Sequence, residues 1–172
     1  IALNNVILTK CAQGIITVCL ANLILNKNTG LFERIFFMSM DRIQLILDTD
    51  MGPDCDDAGA LALLHILSRE HPIDFLAITN CTSNPYACGT IDAINRFYGH
   101  GNIPIGTYEK PGFLEDGYAQ KYNRFITENY INVYRPPVAA PSAQKVLKNA
   151  LHGAQRSSVV MLSIGPLNNM AN

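Results

Sequence analysis

The stretch from Ile43 to His65, IQLILDTDMGPDCDDAGALALLH, restricts the fold more than any other part of the chain. Its first residues, Ile43 to Leu47, are apolar and partly β-branched, as a buried strand requires. Five carboxylates follow within ten positions: Asp48, Asp50, Asp54, Asp56 and Asp57. Gly52 and Pro53 break the backbone among them. From Asp56 the spacing turns helical, with Ala60, Leu61, Leu63 and Leu64 giving an apolar face and the acids facing the positive helix terminus. The acids therefore occupy a strand-to-helix loop at the carboxyl end of a strand, where open parallel sheets place their ligands. Asp54 or Asp56 can serve as a helix cap, a duty that covers one or two acids and leaves the others unexplained. Five like charges this close call for a positive partner, and a hard divalent cation with oxygen ligands answers that need.

The strand–helix alternation continues. Ile73–Thr79 reads as a second buried strand, followed by the polar loop NCTSNPY, in which Asn84 before Pro85 suits a turn or a ligand contact. A helix is expected from Ala87 to Tyr98, with Ile91, Ile94, Phe97 and Tyr98 on one face and Asn95 facing either a cleft or solvent. Ile103 to Gly106 reads as a short third strand. Residues 107–141 hold most of the aromatics in an irregular segment, read as packing that holds this segment down, with a base-stacking wall as the other reading. Ser142 is the N-cap candidate for a helix over Ala143–Leu151, and Val159–Ser163 is a fourth parallel strand. The order implies an α/β fold: a Rossmann-like open, mostly parallel sheet with helices on both faces.

With 48% hydrophobic residues and a formal charge of −1, the chain lacks the basic surface that nucleic acid or an anionic membrane would need. Residues 1–40 read as an apolar extension, and 41–172 as the folded domain. The run Ile15–Leu25 lies between Lys10 and Lys27; it is too short to span a bilayer but suits a signal-peptide core, a buried element, or sequence upstream of a start at Met38 or Met40. A cytoplasmic location is expected, with export the alternative if residues 10–25 act as that core. Five cysteines without a CxxC pair give no zinc spacing. Cys81 and Cys88 can bridge in an oxidising compartment, but buried free thiols are the expectation. A homo-oligomer is left open.

Three chemistries use an acid loop after a strand. An EF-hand counted from Asp48 fails, because Gly52 falls at the fifth position and not the sixth. A magnesium phosphohydrolase beginning with a strand and DxD remains open through Asp48 to Asp50. The third has a second point of support further along, where strand Val159–Ser163 leads into Gly165-Pro166-Leu167-Asn168-Asn169. DTDMGPDCDDAGALAL together with this GPLNN segment resembles the nucleoside hydrolase family, inosine-uridine preferring enzymes and their relatives. In that family a DxDxG loop, a DD pair and an apolar helix are followed by a strand and GPLTN. Here the DD pair lies two residues further on, and Asn168 stands in the place of Thr.

The resemblance runs from about Ile43 onward and implies the N-terminal part of a calcium-dependent hydrolase that splits the N-glycosidic bond of ribonucleosides into ribose and free base. It implies Asp50, Asp57 and the backbone carbonyl of Ile164 as ligands of Ca2+ (Mg2+ the alternative), and Asp50 as the base that takes the proton of water. Asp56 and Asn84 would bind the sugar, with Asp48 and Asp54 supporting the loop from behind. The partner is then a small-molecule nucleoside or ribosyl substrate. The family's later His-Asp pair has no counterpart in these residues, so the chain reads as a fragment of such a domain. A nucleoside- or ribose-binding fragment without turnover is the non-catalytic alternative.

Overall fold

The computed structural model describes residues 42–115, 121–154 and 159–171. The proposed extension over residues 1–40 lies outside the described residues, as do residues 116–120 of the aromatic segment. Four parallel strands form the sheet: β1 (Ile43–Thr49), β2 (Ile73–Asn80), β3 (Ile105–Thr107) and β4 (Val159–Ser163), in the order β3-β2-β1-β4. The helices are α1 (Asp56–Glu70), α2 (Ala87–Phe97), α3 (Tyr122–Asn129) and α4 (Ala143–Gly153), and a 3-10 turn covers Leu167–Asn169. The expected open parallel α/β sheet is thus present.

Alternation along the strands divides the core. Leu45, Leu47 and Ile78 point to one face and pack with Leu61 and Leu64 of α1 and Ile91 of α2. Ile46 and Ala77 point to the other face and pack with Val146 and Leu147 of α4. Helices therefore cover both faces, as strands apolar on both sides require. The chain steps outward from β1 to β2 to β3, then returns across the sheet through α4 to place β4 on the other side of β1. The direction of winding reverses between β1 and β4. A crevice at the carboxyl ends of such a pair is the usual ligand position in doubly wound sheets.

Several local readings are corrected. The aromatic segment contains the helix α3, which the sequence pattern hid: Phe125 and Tyr130 are exposed, so its apolar residues do not mark the buried side. Asn123 and Thr127 are its buried residues, held by α2 through the Thr90 hydroxyl, which donates to the Asn123 carbonyl at 2.9 Å. The third strand begins at Ile105, since Pro104 has no N–H to give, although its carbonyl accepts from Ile78 N at 2.9 Å. Phe97 is exposed because six residues carry it about 240° around the helix from Ile91. Tyr98, one residue later, returns to the packed side. Ser142 is the N-cap of α4, accepting from Lys145 N at 3.4 Å. Cys81 and Cys88 are free and buried. Among the described residues no helix is long and apolar enough to cross a membrane.

Gly106 shows how closely α4 sits on β3. A Cβ there would lie 2.8 Å from Ala143 Cα and 3.1 Å from two atoms of Val146. Backbone cannot yield as a flexible side chain does, so Gly106→Ala is expected to lower stability by roughly 1–3 kcal/mol. Urea unfolding followed by circular dichroism measures it; an unchanged midpoint would mean that α4 is free to shift on the sheet.

Candidate functional site at the carboxyl ends of β1 and β4

Strand register builds the base of the site. Asp48 of β1 lies opposite Thr79 of β2 and Ser163 of β4, so both hydroxyls flank its carboxylate. Thr79 Oγ1 donates to Asp48 Oδ1 at 2.5 Å and Ser163 Oγ to Oδ2 at 3.5 Å. Asn169, in the turn after β4, adds its Nδ2 to Oδ1 at 2.8 Å and to the Asn80 carbonyl at 3.1 Å. Asp48 is 0% exposed. Burial pushes its carboxyl above the usual range, with the three donors pulling the other way and the Asp50 charge adding to the rise. It is a structural knot joining three strands and the GPLNN turn.

The two loops meet directly above this knot. Ile164 N donates to the Asp48 carbonyl at 2.9 Å, and Asn168 Nδ2 to the Cys81 carbonyl at 2.8 Å. At Gly165 a Cβ would come within 2.7 Å of Cys81 Sγ and 2.8 Å of Asp50 Oδ1. The glycine is what lets the post-β4 loop lie against the Asp50 carboxylate. Cys81 marks the same junction electrostatically: burial, then the charges of Asp48, Asp50 and Asp57, hold its thiol far above the usual range. A thiol kept protonated in this way is no nucleophile.

Asp57 is buried in the first turn of α1 and accepts from Thr49 Oγ1 at 2.6 Å. Asp54 and Asp56 are exposed. One carboxylate oxygen from each of Asp54, Asp56 and Asp57 lies within 4.8 Å of the others. Asp50 is not in that group; it stands on the Gly165 side of the loop. Asp54 thus lies beside Asp56 and Asp57. The N-cap of α1 is Cys55, which makes no side-chain cap bond, so neither Asp54 nor Asp56 caps the helix. Asp56 and Asp57 place negative charge in its first turn, at the positive end.

Tyr122, at the start of α3, closes the loop from above. Its hydroxyl donates to the Asp54 carbonyl at 2.7 Å, with Met51 Sδ at 3.4 Å. Burial and the neighbouring charges of Asp57, Asp54 and Asp56 raise its phenol well above the ordinary value. Tyr122, Thr49 and Thr79 carried no local signal, because their roles arise only once distant segments meet. Asn169 had a signal in the GPLNN segment, where the sequence reading took up only the backbone of Ile164.

Asn84 is buried in the loop after β2. Its Oδ1 accepts from Tyr86 N at 3.0 Å, which realises the turn, and lies 3.5 Å from Asn123 Nδ2. It also lines a cleft of about 340 Å³ beside β3, together with Cys88, Thr107, Tyr108 and Tyr134. The cleft leaves Asp50, Asp54, Asp56 and Asp57 outside its walls. Asn95 faces neither a cleft nor solvent, being fully buried against His65. No family model matches the chain, and no curated protein matches it.

Proposed function

We propose that the complete protein is a metal-dependent hydrolase of the N-glycosidic bond of ribonucleosides, related to the nucleoside hydrolases. One observation carries this reading furthest: the acid loop after β1 and the GPLNN loop after β4 are in contact at the winding reversal of the sheet, through the Ile164–Asp48 bond and the close approach of Gly165 to Asp50. The donors fit a hard cation. They are carboxylate and carbonyl oxygens, and their negative charge adds to burial in raising Cys81 and Tyr122. Asp50, Asp57 and the Ile164 carbonyl would hold Ca2+, with Mg2+ the alternative. When bound, the ion supplies orientation of the ribose hydroxyls and an acidified water.

The chain's own residues account for the other demands of the reaction. Cleavage builds positive charge on the sugar, which a carboxylate-rich crevice stabilises. Asp50, at the rim between the loops, takes the proton of the attacking water. Asp56, exposed at the positive end of α1, accepts a hydrogen bond from a sugar hydroxyl, whereas Asn84, buried and lining the separate cleft beside β3, is set apart from the acids. The magnesium phosphohydrolase reading needs Asp48 as an accessible nucleophile, and the fully buried, three-fold bonded Asp48 is poorly suited to that role.

The test is base release from inosine and uridine, followed by chromatography with calcium and after its removal by a chelator. Release that stops on chelation and returns with Ca2+ is expected. Release of phosphate from a phosphomonoester, with no free base, would replace this reading by the phosphohydrolase. Calcium binding by calorimetry without either product would leave a nucleoside- or ribose-binding protein.

A further inference from the structure

On the face of the sheet shared by α1 and α2, His65 is completely buried and takes no part in the chemistry above. It lies nine residues beyond Asp56, about 13 Å along the helix. Its Nε2 is 2.8 Å from Asn95 Oδ1 on α2, and its Nδ1 is 3.0 Å from His100 Nδ1 in the loop that follows α2. Tyr98, at the end of α2, stacks on the ring with centroids 5.0 Å apart and planes 17° from parallel. Phe75 of β2 completes the surround at 5.0 Å. The imidazole of His65 thus contacts Asn95, Tyr98 and His100 at the end of α2.

The donor count fixes how the pair works. Asn95 Oδ1 can only accept, so His65 carries its proton on Nε2 and its Nδ1 accepts from the Nδ1–H of His100. A solvent proton added at His65 Nδ1 would set two N–H groups against each other across 3.0 Å. His100 must then give up its Nδ1 proton or swing away; once both rings are cationic the contact cannot stand. Gly99, with φ of +84°, starts the turn that carries His100, and His100 is only half-buried.

We propose that the His65–His100 pair is an acid-sensitive latch, which holds the last turn of α2 against α1 when both imidazoles are neutral and releases it when they take up protons. The groups packed around it set its electrostatics. From α1, Arg69 lies over the Tyr98 ring at 5.5 Å. From β2, Phe75 is uncharged and its neighbour Asp74 is engaged by Arg42. Burial pushes His65 below its ordinary 6.5, and the charges of His100 and Arg69 add to the fall. With the folded value lowered, the unfolded chain takes the proton first. The latch therefore contributes fully above about 6.5 and is lost as pH falls from there through the lowered folded value. Asp48, raised by burial, acts in the opposite sense at lower pH and is common to every variant compared below.

Nitrogen NMR of the imidazoles between pH 8 and 4.5, with amide-exchange protection of Phe97 to Gly99, tests the latch in the wild-type chain. His65 is expected to titrate below 6.5, and protection of that turn to fall by up to about tenfold per pH unit over the titration, while the amides of β1 hold theirs. His65→Gln keeps a donor for Asn95 without titrating, and should remove the pH dependence. An ordinary His65 titration, protection that is flat with pH, or dependence that survives in His65→Gln would each overturn the latch. If His65→Gln does not fold, the wild-type His65 titration and the pH profile of protection over Phe97 to Gly99 decide the latch on their own.

Discussion

Asp48→Ala should lower folding stability by about 3–5 kcal/mol, the largest loss expected from any single side chain in the acid loop. Alanine removes the shared acceptor of Thr79 Oγ1, Asn169 Nδ2 and Ser163 Oγ in a fully buried place, leaving the Thr79 hydroxyl without this partner, Asn169 with the Asn80 carbonyl alone and Ser163 with the Gly165 carbonyl alone. Each such donor costs about 1–3 kcal/mol, less when neighbours share the relaxation. Asp48→Asn is the informative partner. Its amide oxygen still accepts from Thr79 and Asn169, and the Ser163 hydroxyl can turn to accept from the new amide. The buried charge also disappears, so a loss of about 1 kcal/mol or less is expected. Urea denaturation gives both values. Equal, small losses for the two variants would show that the Asp48 knot is not what joins β1, β2 and β4.

The Asn variant also separates the functional readings. If Asp48 only supports the loop, Asp48→Asn should keep base release within about tenfold of wild type. A nucleophilic Asp48 predicts that the same variant abolishes phosphate release outright. Fold and chemistry are read on the same protein, so a dead enzyme cannot be mistaken for an unfolded one.

The sheet was legible in the sequence because its strands are apolar runs between turn residues, and period and punctuation are local properties. Ile43 to Leu47, Ile73 to Thr79 and Val159 to Ser163 all became strands at or within two residues of their expected bounds. Helix α3 was hidden because what buries Asn123 and Thr127 is bonding to α2, not an apolar stripe. The acid loop was visible as a cluster but its internal division was not. Asp54, Asp56 and Asp57 gather at the start of α1, while Asp50 turns toward Gly165. That division depends on where a loop over 110 residues away comes to rest, and no spacing within the acid loop encodes it. His65 was read only as the end of an apolar helix; its partners, Asn95 and His100, lie 30 and 35 residues further on.

Asp50→Asn is the substitution expected to cost most in turnover, lowering base release by about 10²–10⁴-fold. Size and shape are kept and the charge is lost, so the carboxylate's capacity to take a proton goes while the loop stays in place. Half-buried at the loop rim, Asp50 should change the unfolding midpoint little. Calcium affinity, measured by calorimetry, is expected to fall about tenfold, since a charged donor becomes a neutral one. Gly165→Ala reaches the same group by geometry: its Cβ would lie 2.8 Å from Asp50 Oδ1 and 2.9 Å from Asp50 Cβ, so the carboxylate must move. A displacement on the order of 1 Å costs about 10²-fold in rate when the moved group performs the chemistry. Loss of activity in both variants, with the fold retained, would assign the base to Asp50 at the junction of the two loops. Full activity in Asp50→Asn would transfer the chemistry to Asp54, Asp56 and Asp57, and the contact between the post-β1 and post-β4 loops would then be structural only.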